Sequence, residues 1–187
     1  MRTLVEIIKE HNLSKCDHLY GTDKEFVHHY VSNFYQSMFQ PIQQDKIHLF
    51  EIGTCTGASL KMWKEFFVNG KVEGVDNEDK RIKEYIDSEI IYHHVDAYEQ
   101  QFVNSLPNFD IIIDDGPHTL GSQLAAINQY YSKLKDGGIF VIEDIESDDN
   151  IRILSGETQK IFGKPANIID KRAEVGLSNE ILLWLIK

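Results

Sequence analysis

Two groups of residues with carboxylate or imidazole side chains each follow a short apolar run, at 111–113 and 139–142. Such runs, rich in β-branched residues, are typical of buried strands in a parallel sheet. The residues that follow them are Asp114, Asp115 and His118 in the first case, and Glu143 and Asp144 in the second. Open α/β sheets bind ligands at the carboxyl ends of their strands, and carboxylates crowded there repel one another unless a cation compensates. The pattern therefore predicts a hard metal ion and a proton-transfer step.

A turn with two glycines follows an earlier predicted strand at 47–52. Gly53 and Gly57 allow the backbone to turn tightly and to approach a ligand, and Ser59 is predicted to cap the helix that follows. Glu51 lies on the strand beside the turn. A carboxylate there repels a pyrophosphate and suits a ligand that carries an ammonium or sulfonium group, so the turn differs from the dinucleotide-binding pattern.

Acidic residues also end the next two predicted strands. Asp76 follows the strand at 71–75, where a carboxylate can accept hydrogen bonds from both hydroxyls of a ribose. Asp96 follows the strand at 90–95, from which a carboxylate can reach a purine amino group. Taken alone, each acid is explained equally well as a residue that caps a loop and as one that binds a ligand. The ordered set of three strand ends is what points to a nucleoside ligand.

Strands and helices alternate from residue 46 onward, which predicts right-handed βαβ units, a mostly parallel sheet and helices on both of its faces. The predicted strands are 47–52, 71–75, 90–95, 109–113, 139–142, 166–170 and 181–186. The predicted helices are 59–67, 80–85, 98–105 and 123–134. No long helix separates the last two strands, which allows them to pair antiparallel at the sheet edge.

The first 45 residues are predicted to be a helical segment ahead of a core at 46–187, with the whole chain, 1–187, forming one domain. Four aromatic residues recur in this segment: Phe26, Tyr30, Phe34 and Phe39. They either dock the segment on the core or make it a lid over the site.

A Gly-Thr-Asp-Lys turn at Gly21 to Lys24 precedes the aromatic stripe. It is open to two interpretations, a helix cap or a segment that folds over the ligand site. Of His28 and His29 on the predicted helix that follows, at most one can face a pocket.

Composition narrows the class of protein. The 42% hydrophobic and 26% charged residues are ordinary for a soluble domain of 187 residues, and no apolar run approaches the roughly 20 residues of a membrane helix. A net charge of −11 argues against binding to nucleic-acid backbones. Glu6 stands where a secretion signal would continue with apolar residues, which argues against export. The two cysteines make no disulfide framework, which fits a reducing compartment. We therefore expect a cytoplasmic protein.

The order of the glycine turn and strand-end acids resembles the first motifs of class I S-adenosylmethionine (SAM)-dependent methyltransferases, whose fold is a Rossmann-like, doubly wound, seven-stranded sheet. Within them the chain is similar to metal-dependent sugar O-methyltransferases, which act on macrolide sugars and rhamnosyl groups, and to cephalosporin hydroxylase-like proteins. The segments that match are 20–24, 51–53, 59–63, 114–118 and 137–144. Two positions depart: Cys55 stands where many class I members have glycine, and Pro117 where the sugar enzymes usually have serine.

The resemblance implies SAM and Mg²⁺ as cofactors. It assigns SAM binding to Glu51, Gly53, Thr54, Gly57, Ser59, Asp76, Asn77, Asp96, Ala97 and Asp114. It assigns Mg²⁺ binding to Asp115, Glu143 and Asp144, and catalysis to Asp115 and His118. Because residues alternate along a strand, Glu143 and Asp144 can both bind one ion only if their strand ends before them.

The activity that the resemblance implies is methyl transfer from SAM to a sugar hydroxyl, rhamnose-like, on a glycan or a glycosylated natural product. The ion lowers the pKa of the bound hydroxyl, and His118 takes its proton. Two alternatives stay open: methylation of a catechol-like phenol, and a SAM-binding subunit without catalysis. The residues at 147–156 are predicted to form a loop that lines the acceptor pocket. A homo-oligomer is also left open.

Overall fold

The computed structural model describes residues 1–14 and 21–187. Its strands are β1 (His48–Ile52), β2 (Lys71–Asp76), β3 (Ile90–His94), β4 (Phe109–Asp114), β5 (Leu134–Ile142), β6 (Asn167–Asp170) and β7 (Ile181–Ile186). They form one sheet in the order β3-β2-β1-β4-β5-β7-β6. The first five strands run parallel, whereas β7 pairs antiparallel with both β5 and β6. The predicted doubly wound fold and its antiparallel edge are confirmed.

The chain order reverses at the centre of the sheet, between β1 and β4. Ile52 at the end of β1 pairs with Asp114 of β4, and Asp114 pairs in turn with Ile142 at the end of β5. The loops that follow these three parallel strands therefore begin side by side at one edge. A crevice forms at such a reversal point because successive loops turn to opposite faces of the sheet.

Helices cover both faces of the sheet. They are α1 (Leu4–Glu10), α2 (Gln36–Phe39), α3 (Ala58–Phe66), α4 (Gln100–Ser105), α5 (Leu120–Tyr130), α6 (Asp148–Phe162) and α7 (Arg172–Val175). Side chains alternate between the faces, so Leu49 and Ile111 pack with the N-terminal segment and α3, while Phe50 and Ile112 pack beneath α4, α5 and α6. Within the described ranges, no helix is long and apolar enough to span a membrane.

The N-terminal segment packs against the sheet through apolar and aromatic side chains. Helix α1 begins with a capping box, because Thr3 and Glu6 bond each other's backbone N–H groups. A π-helical turn at Val31–Tyr35 leads into α2. Of the predicted aromatic stripe, three members are buried in the core, Tyr30, Phe34 and Phe39, and Phe26 is 47% exposed. The stripe thus docks the segment, and the domain boundary at residue 45 stays a prediction.

Helix α6 corrects the prediction of a loop at 147–156. The Ser147 hydroxyl accepts a hydrogen bond from the backbone at the helix start, Asp148 and Asp149 occupy the first turn, and Gly163 ends the helix at a φ of 70°. These are ordinary helix start and stop signals. The apolar periodicity that supports a helix prediction is weak here, since α6 buries only Leu154 and Thr158.

The helix predicted at 80–85 is also wrong. Only a 3₁₀ turn at Lys83–Tyr85 forms there, and it buries no side chain. The guanidinium of Arg81 donates to both carboxylate oxygens of Asp79, at 2.7 and 2.8 Å, and lies 4.1 Å from the centre of the Tyr92 ring. A helix needs an apolar face to dock, and in this charged segment only Ile82 and Tyr85 are even partly buried.

Outside the crevice, one buried carboxylate links three neighbouring strands. Glu73 of β2 lies between His48 of β1 and His93 of β3, with imidazole Nε2 atoms 2.6 and 3.0 Å from its two oxygens. Burial alone raises a carboxyl pKa, but the hydrogen bonds and charges of the two imidazoles outweigh it and lower the pKa of Glu73 to about 2.

Glu73→Gln is expected to lower the free energy of unfolding by about 1.5–3 kcal/mol at pH 6, the usual range for hydrogen bonds to charged groups. The folded-state pKa of Glu73 lies below its ordinary value of 4.5, so this stabilisation is present above pH 4.5 and is lost as pH falls towards 2. Urea unfolding between pH 3 and 7 measures it, with exposed Glu99→Gln as control. A difference between wild type and Glu73→Gln that does not shrink with falling pH would contradict this account.

Candidate active site

The turn after β1 brings two loops into contact at the crevice. Gly53 has a φ of 81°, and a Cβ atom there would lie 2.0 Å from the backbone oxygen of Asp115. The Asp115 N–H in turn donates to the Ile52 carbonyl at 2.9 Å. Gly57, with a φ of 86°, is the N-cap of α3, so the predicted cap at Ser59 is wrong because Ser59 lies inside the first turn.

A cavity of about 770 Å³ lies at the carboxyl ends of the strands. Seven of the predicted SAM-binding residues line it: Gly53, Thr54, Ser59, Asp76, Asn77, Asp96 and Ala97. Asp115 and His118, the two predicted catalytic residues, line it as well. The N-terminal segment supplies another part of the wall through Thr22, Asp23 and His28. The segment is therefore docked on the core and also covers part of the site.

The acids that end β2 and β3 both brace loops and face the cavity. Asp76 accepts hydrogen bonds from the backbone N–H groups of Cys55 at 2.8 Å and Glu78 at 3.0 Å. Asp96 accepts one from the Tyr98 N–H at 2.9 Å. Each carboxylate oxygen has two lone pairs, so these bonds leave capacity for donors on a ligand. The loop-cap interpretation and the ligand interpretation of these acids are compatible.

Glu51 lies behind the cavity wall. Its side chain is fully buried, its Oε2 accepts a hydrogen bond from the Trp63 indole N–H at 2.9 Å, and its Oε1 lies 3.1 Å from the Lys24 ammonium. Burial raises the pKa of Glu51, and the positive charge of Lys24 opposes that rise. Direct contact of Glu51 with a cofactor stays a prediction, and Lys24 occupies the position next to it.

Lys24 joins three carboxylates that come from three different strand ends. Its Nζ lies 2.6 Å from Glu143, 2.7 Å from Asp115 and 3.1 Å from Glu51, and its side chain is 1% exposed. Burial alone lowers a lysine pKa, but the three negative charges outweigh it and hold the pKa of Lys24 well above its ordinary value. The ammonium is therefore a fixed positive charge inside the acidic cluster.

Strand β5 ends at Ile142, which frees the two acids after it from strand alternation. Asp144 has a φ of 55°, and its carboxylate accepts a hydrogen bond from the Tyr30 hydroxyl at 2.8 Å. Imidazoles from two different segments lie near this carboxylate. His118, in the loop after β4, has its Nε2 3.6 Å from Asp144 Oδ2, and His28, in the N-terminal segment, has its Nδ1 3.5 Å from Asp144 Oδ1. Burial raises the pKa of Asp144, and both imidazoles oppose the rise.

Asp115, His118 and Asp144 form a set with the geometry to hold a metal ion. Each offers one ligand atom, and these atoms all lie within 4.8 Å of one another. Glu143, the third predicted ligand, is not in the set, and its carboxylate is bonded by the Lys24 ammonium and the Tyr35 hydroxyl. The structure thus brings together two of the three predicted metal ligands and the predicted base.

Asp114 is not part of this set. It is buried, its Oδ1 accepts from the Gly116 N–H at 3.3 Å and the Tyr98 hydroxyl at 3.4 Å, and its Oδ2 has no hydrogen-bond partner among the described residues. Burial raises the pKa of Asp114 to about 7. Tyr98, which bonds Asp114, lines the cavity, whereas Asp114 does not, so any contact of Asp114 with a cofactor stays a prediction.

Sequence reasoning missed several residues that the N-terminal segment and the β7 edge contribute. They are Tyr30, Tyr35 and Glu180. Lys24 lies in the turn already predicted either to cap a helix or to fold over the site, and His28 is one of the two histidines of which at most one was predicted to face a pocket. Glu180 is fully buried and its Oε2 lies 2.9 Å from His28 Nδ1. Burial raises the pKa of Glu180 to about 7. Polar residues spaced among aromatic ones at 24–35 were the available signal, but apart from Glu51 their partners in the site are more than 90 residues away. Tyr20, at the start of the matching motif, lies outside the described residues.

Comparison with known proteins identifies the family. Residues 50–145, about half of the chain, match the family described as a methyltransferase domain. The chain belongs to this family. The matched region runs from β1 to the residue after Asp144 and so contains the glycine turn, the strand-end acids and the candidate metal set.

Individual relatives agree with this placement. The chain is 31% identical, over 68% of its length, to an 8-demethyl-8-α-L-rhamnosyl tetracenomycin-C 2′-O-methyltransferase of Streptomyces olivaceus. It is 28% identical, over 72% of its length, to a mycinamicin VI 2″-O-methyltransferase of Micromonospora griseorubida. It covers 36% of each of these two proteins, so the chain spans about a third of the length of these relatives.

A solved structure shares the fold. The mycinamycin-pathway methyltransferase MycE, in complex with Mg, S-adenosylhomocysteine (SAH) and mycinamycin VI, superposes with a TM-score of 0.64 at 25% identity. The match covers 76% of this chain and 39% of MycE.

Gly53→Ala is expected to abolish measurable binding of SAH, because a Cβ atom at this position overlaps the backbone of Asp115. Gly137→Ala is the matched control, since Gly137 also has a positive φ, of 79°, but nothing lies within 4 Å of its Cβ position. Both variants incur the cost of a left-handed alanine, about 1–2 kcal/mol. Only Gly53→Ala adds a steric clash. Calorimetric titration and urea unfolding measure both effects, and SAH affinity retained in Gly53→Ala would contradict the assignment.

Proposed function

We propose that this protein is a Mg²⁺-dependent, SAM-dependent O-methyltransferase that transfers a methyl group to a sugar hydroxyl. The observation that carries the proposal is the convergence of Asp115, His118 and Asp144 beside a cavity lined by the nucleoside-type strand-end acids. The relatives support it, because their names describe methylation of rhamnosyl and macrolide-sugar hydroxyls. MycE supports the cofactors, since its structure contains Mg and SAH.

The cavity fits a nucleoside-containing donor such as SAM, which when bound supplies a methyl group on a sulfonium. Gly53 lets the backbone of Asp115 pack directly against the turn, and the turn itself lines the cavity, where a ligand can approach its backbone. Asp76 would accept hydrogen bonds from ribose hydroxyls and Asp96 from the purine amino group. Four further residues would shape the wall around them: Thr54, Ser59, Asn77 and Ala97.

The acidic cluster fits a hard divalent cation, because Asp115 and Asp144 present carboxylate oxygens, the ligands that Mg²⁺ prefers. When bound, Mg²⁺ polarises an acceptor hydroxyl and lowers its pKa. His118 would accept the hydroxyl proton. An imidazole that binds the ion is not free to accept that proton, so this role leaves coordination to the carboxylates of Asp115, Asp144 and, as the third predicted ligand, Glu143.

The acceptor that we propose is a rhamnose-like sugar, on a glycan or a glycosylated natural product. Its two vicinal hydroxyls would reach the cluster from the open side of the cavity, next to His118 and Asp115. Residues 1–45 would serve as a cap over the SAM-binding core at 46–187. We further propose a cytoplasmic location, no nucleic-acid or membrane partner, and a homo-oligomer as the state to test.

Incubation with SAM, Mg²⁺ and a panel of methyl rhamnosides is expected to yield an O-methylated sugar, detected by mass spectrometry. Excess EDTA should abolish transfer and excess Mg²⁺ should restore it. His118→Ala should lower kcat by about 10²- to 10⁴-fold, the usual contribution of a general base, while the affinities for SAH and for the metal persist.

The control for His118→Ala is His11→Ala. In the wild type, His11 caps the end of α1 and its imidazole lies 3.7 Å from the Glu65 carboxylate. Transfer that survives EDTA, or that is unaffected by His118→Ala, would remove the proposed mechanism. Transfer to catechols but to no sugar would replace the acceptor with a phenol. SAH binding without transfer to either class would favour a subunit without catalysis.

A further inference from the structure

The ammonium of Lys24 lies where an acidic cluster of this kind attracts a cation. Its Nζ is within 3.1 Å of three carboxylates, and Asp115 is shared between this contact and the candidate metal set. The lysine is fixed in place from both ends. Its backbone is held by the Val31 N–H, which donates to the Lys24 carbonyl at 3.0 Å, and its side chain is 1% exposed.

The contacts of Lys24 use oxygens that a metal ion at the predicted ligands would need. Lys24 bonds Oε2 of Glu143, and the Tyr35 hydroxyl bonds Oε1. Lys24 also bonds Oδ2 of Asp115. Both Glu143 oxygens and one Asp115 oxygen are thus already engaged by donors from the N-terminal segment. A divalent ion bound to the same carboxylates would lie a few ångströms from a positive charge, in a buried site where repulsion is poorly screened.

We propose that Lys24 and a divalent cation compete for Asp115 and Glu143, so that this lysine is a positioning residue that sets the affinity of the metal site. The inference rests on the proposed function, because it takes the acidic cluster to be the methyltransferase metal centre. Lys24 holds the carboxylates together and balances part of their charge, and the ion takes them over when it binds. Of the three contacts, only the one with Glu51 is left to the ammonium, so Lys24 is held less firmly when the ion is bound.

Competition between Lys24 and the ion works in both directions, because binding effects are thermodynamically linked. If Lys24 weakens metal binding, then metal binding must weaken the contacts of Lys24 by the same factor. Lys24 lies in the stretch that runs from the cavity-lining residues Thr22 and Asp23 to His28. Release of its ammonium would therefore loosen the part of the N-terminal segment that covers the acceptor side of the cavity.

The first test measures Mn²⁺ binding by electron paramagnetic resonance in wild type, Lys24→Met and Lys24→Arg. Lys24→Met removes the charge and keeps most of the length, and it is expected to tighten Mn²⁺ binding about tenfold, within the usual range for coupled binding events. Lys24→Arg keeps the charge and should stay close to wild type. Unchanged or weaker binding in Lys24→Met would mean that the lysine only organises the cluster, and would overturn the proposal.

The second test uses the wild-type protein and needs no variant to fold. Acetylation of lysine amines, followed by peptide mass spectrometry, reports how often each ammonium is released. Lys24 is expected to react faster with saturating Mn²⁺ than with EDTA. Lys187, whose ammonium donates to the backbone carbonyls of Tyr131 and Leu134, should react equally in both. Lys24 that stays protected while Mn²⁺ is bound would overturn the proposal.

The two tests separate this inference from the proposed function, because neither uses methyl transfer as a readout. Mn²⁺-dependent transfer with an unchanged Lys24→Met affinity and a protected Lys24 would remove the inference and leave the proposed function intact. Failure of both wild type and Lys24→Met to bind Mn²⁺ would remove the inference together with the metal-dependent mechanism, while SAM-dependent transfer would still be decided by the rhamnoside assay.

Discussion

The buried contacts of one lysine with three carboxylates are the interaction on which the site depends. Lys24 joins the N-terminal segment to the ends of β1, β4 and β5 through Glu51, Asp115 and Glu143. A buried carboxylate without a compensating charge is costly, and three of them within reach of one another repel as well. The ammonium offsets both costs. It also ties a segment from the start of the chain to residues that come later by up to 119 positions.

The reason that acids crowd here lies in the topology of the sheet. Reversal of strand order between β1 and β4 sends neighbouring loops to opposite sides and opens the crevice in which the cavity lies. The same reversal places the ends of β1, β4 and β5 next to one another. Gly53 draws the first two loops closer still, because the backbone of Asp115 occupies the space of its missing side chain. The reversal of strand order thus creates the cavity and also brings together carboxylates that repel one another.

The site has two sides with different chemistry. On one side are Asp76 and Asp96, whose carboxylates brace loops and face the cavity, as a nucleoside-containing donor requires. On the other, Asp144 lies between the imidazoles of His118 and His28, and buried Glu180 orients the second of these. The burial that raises the pKa values of Asp144 and Glu180 also makes this side a favourable place for a cation. A donor on one side and an activated hydroxyl on the other is the arrangement that methyl transfer needs.

The sequence by itself determined what depends on local pattern. Apolar runs, glycines and strand-end acids predicted the strands, the glycine turn and the loops that carry Asp115, His118 and Asp144, because strand periodicity and turn chemistry act over a few residues. It missed α6, whose buried stripe is too sparse to show periodicity. It predicted Glu51 beside a ligand, which stays a prediction, but it did not predict the contacts of Glu51 with Trp63 and Lys24. Which charges meet in the crevice was decided only by the folded chain. Pairing between Lys24 and Glu143 depends on how a docked segment crosses the sheet, and no local spacing encodes that distance.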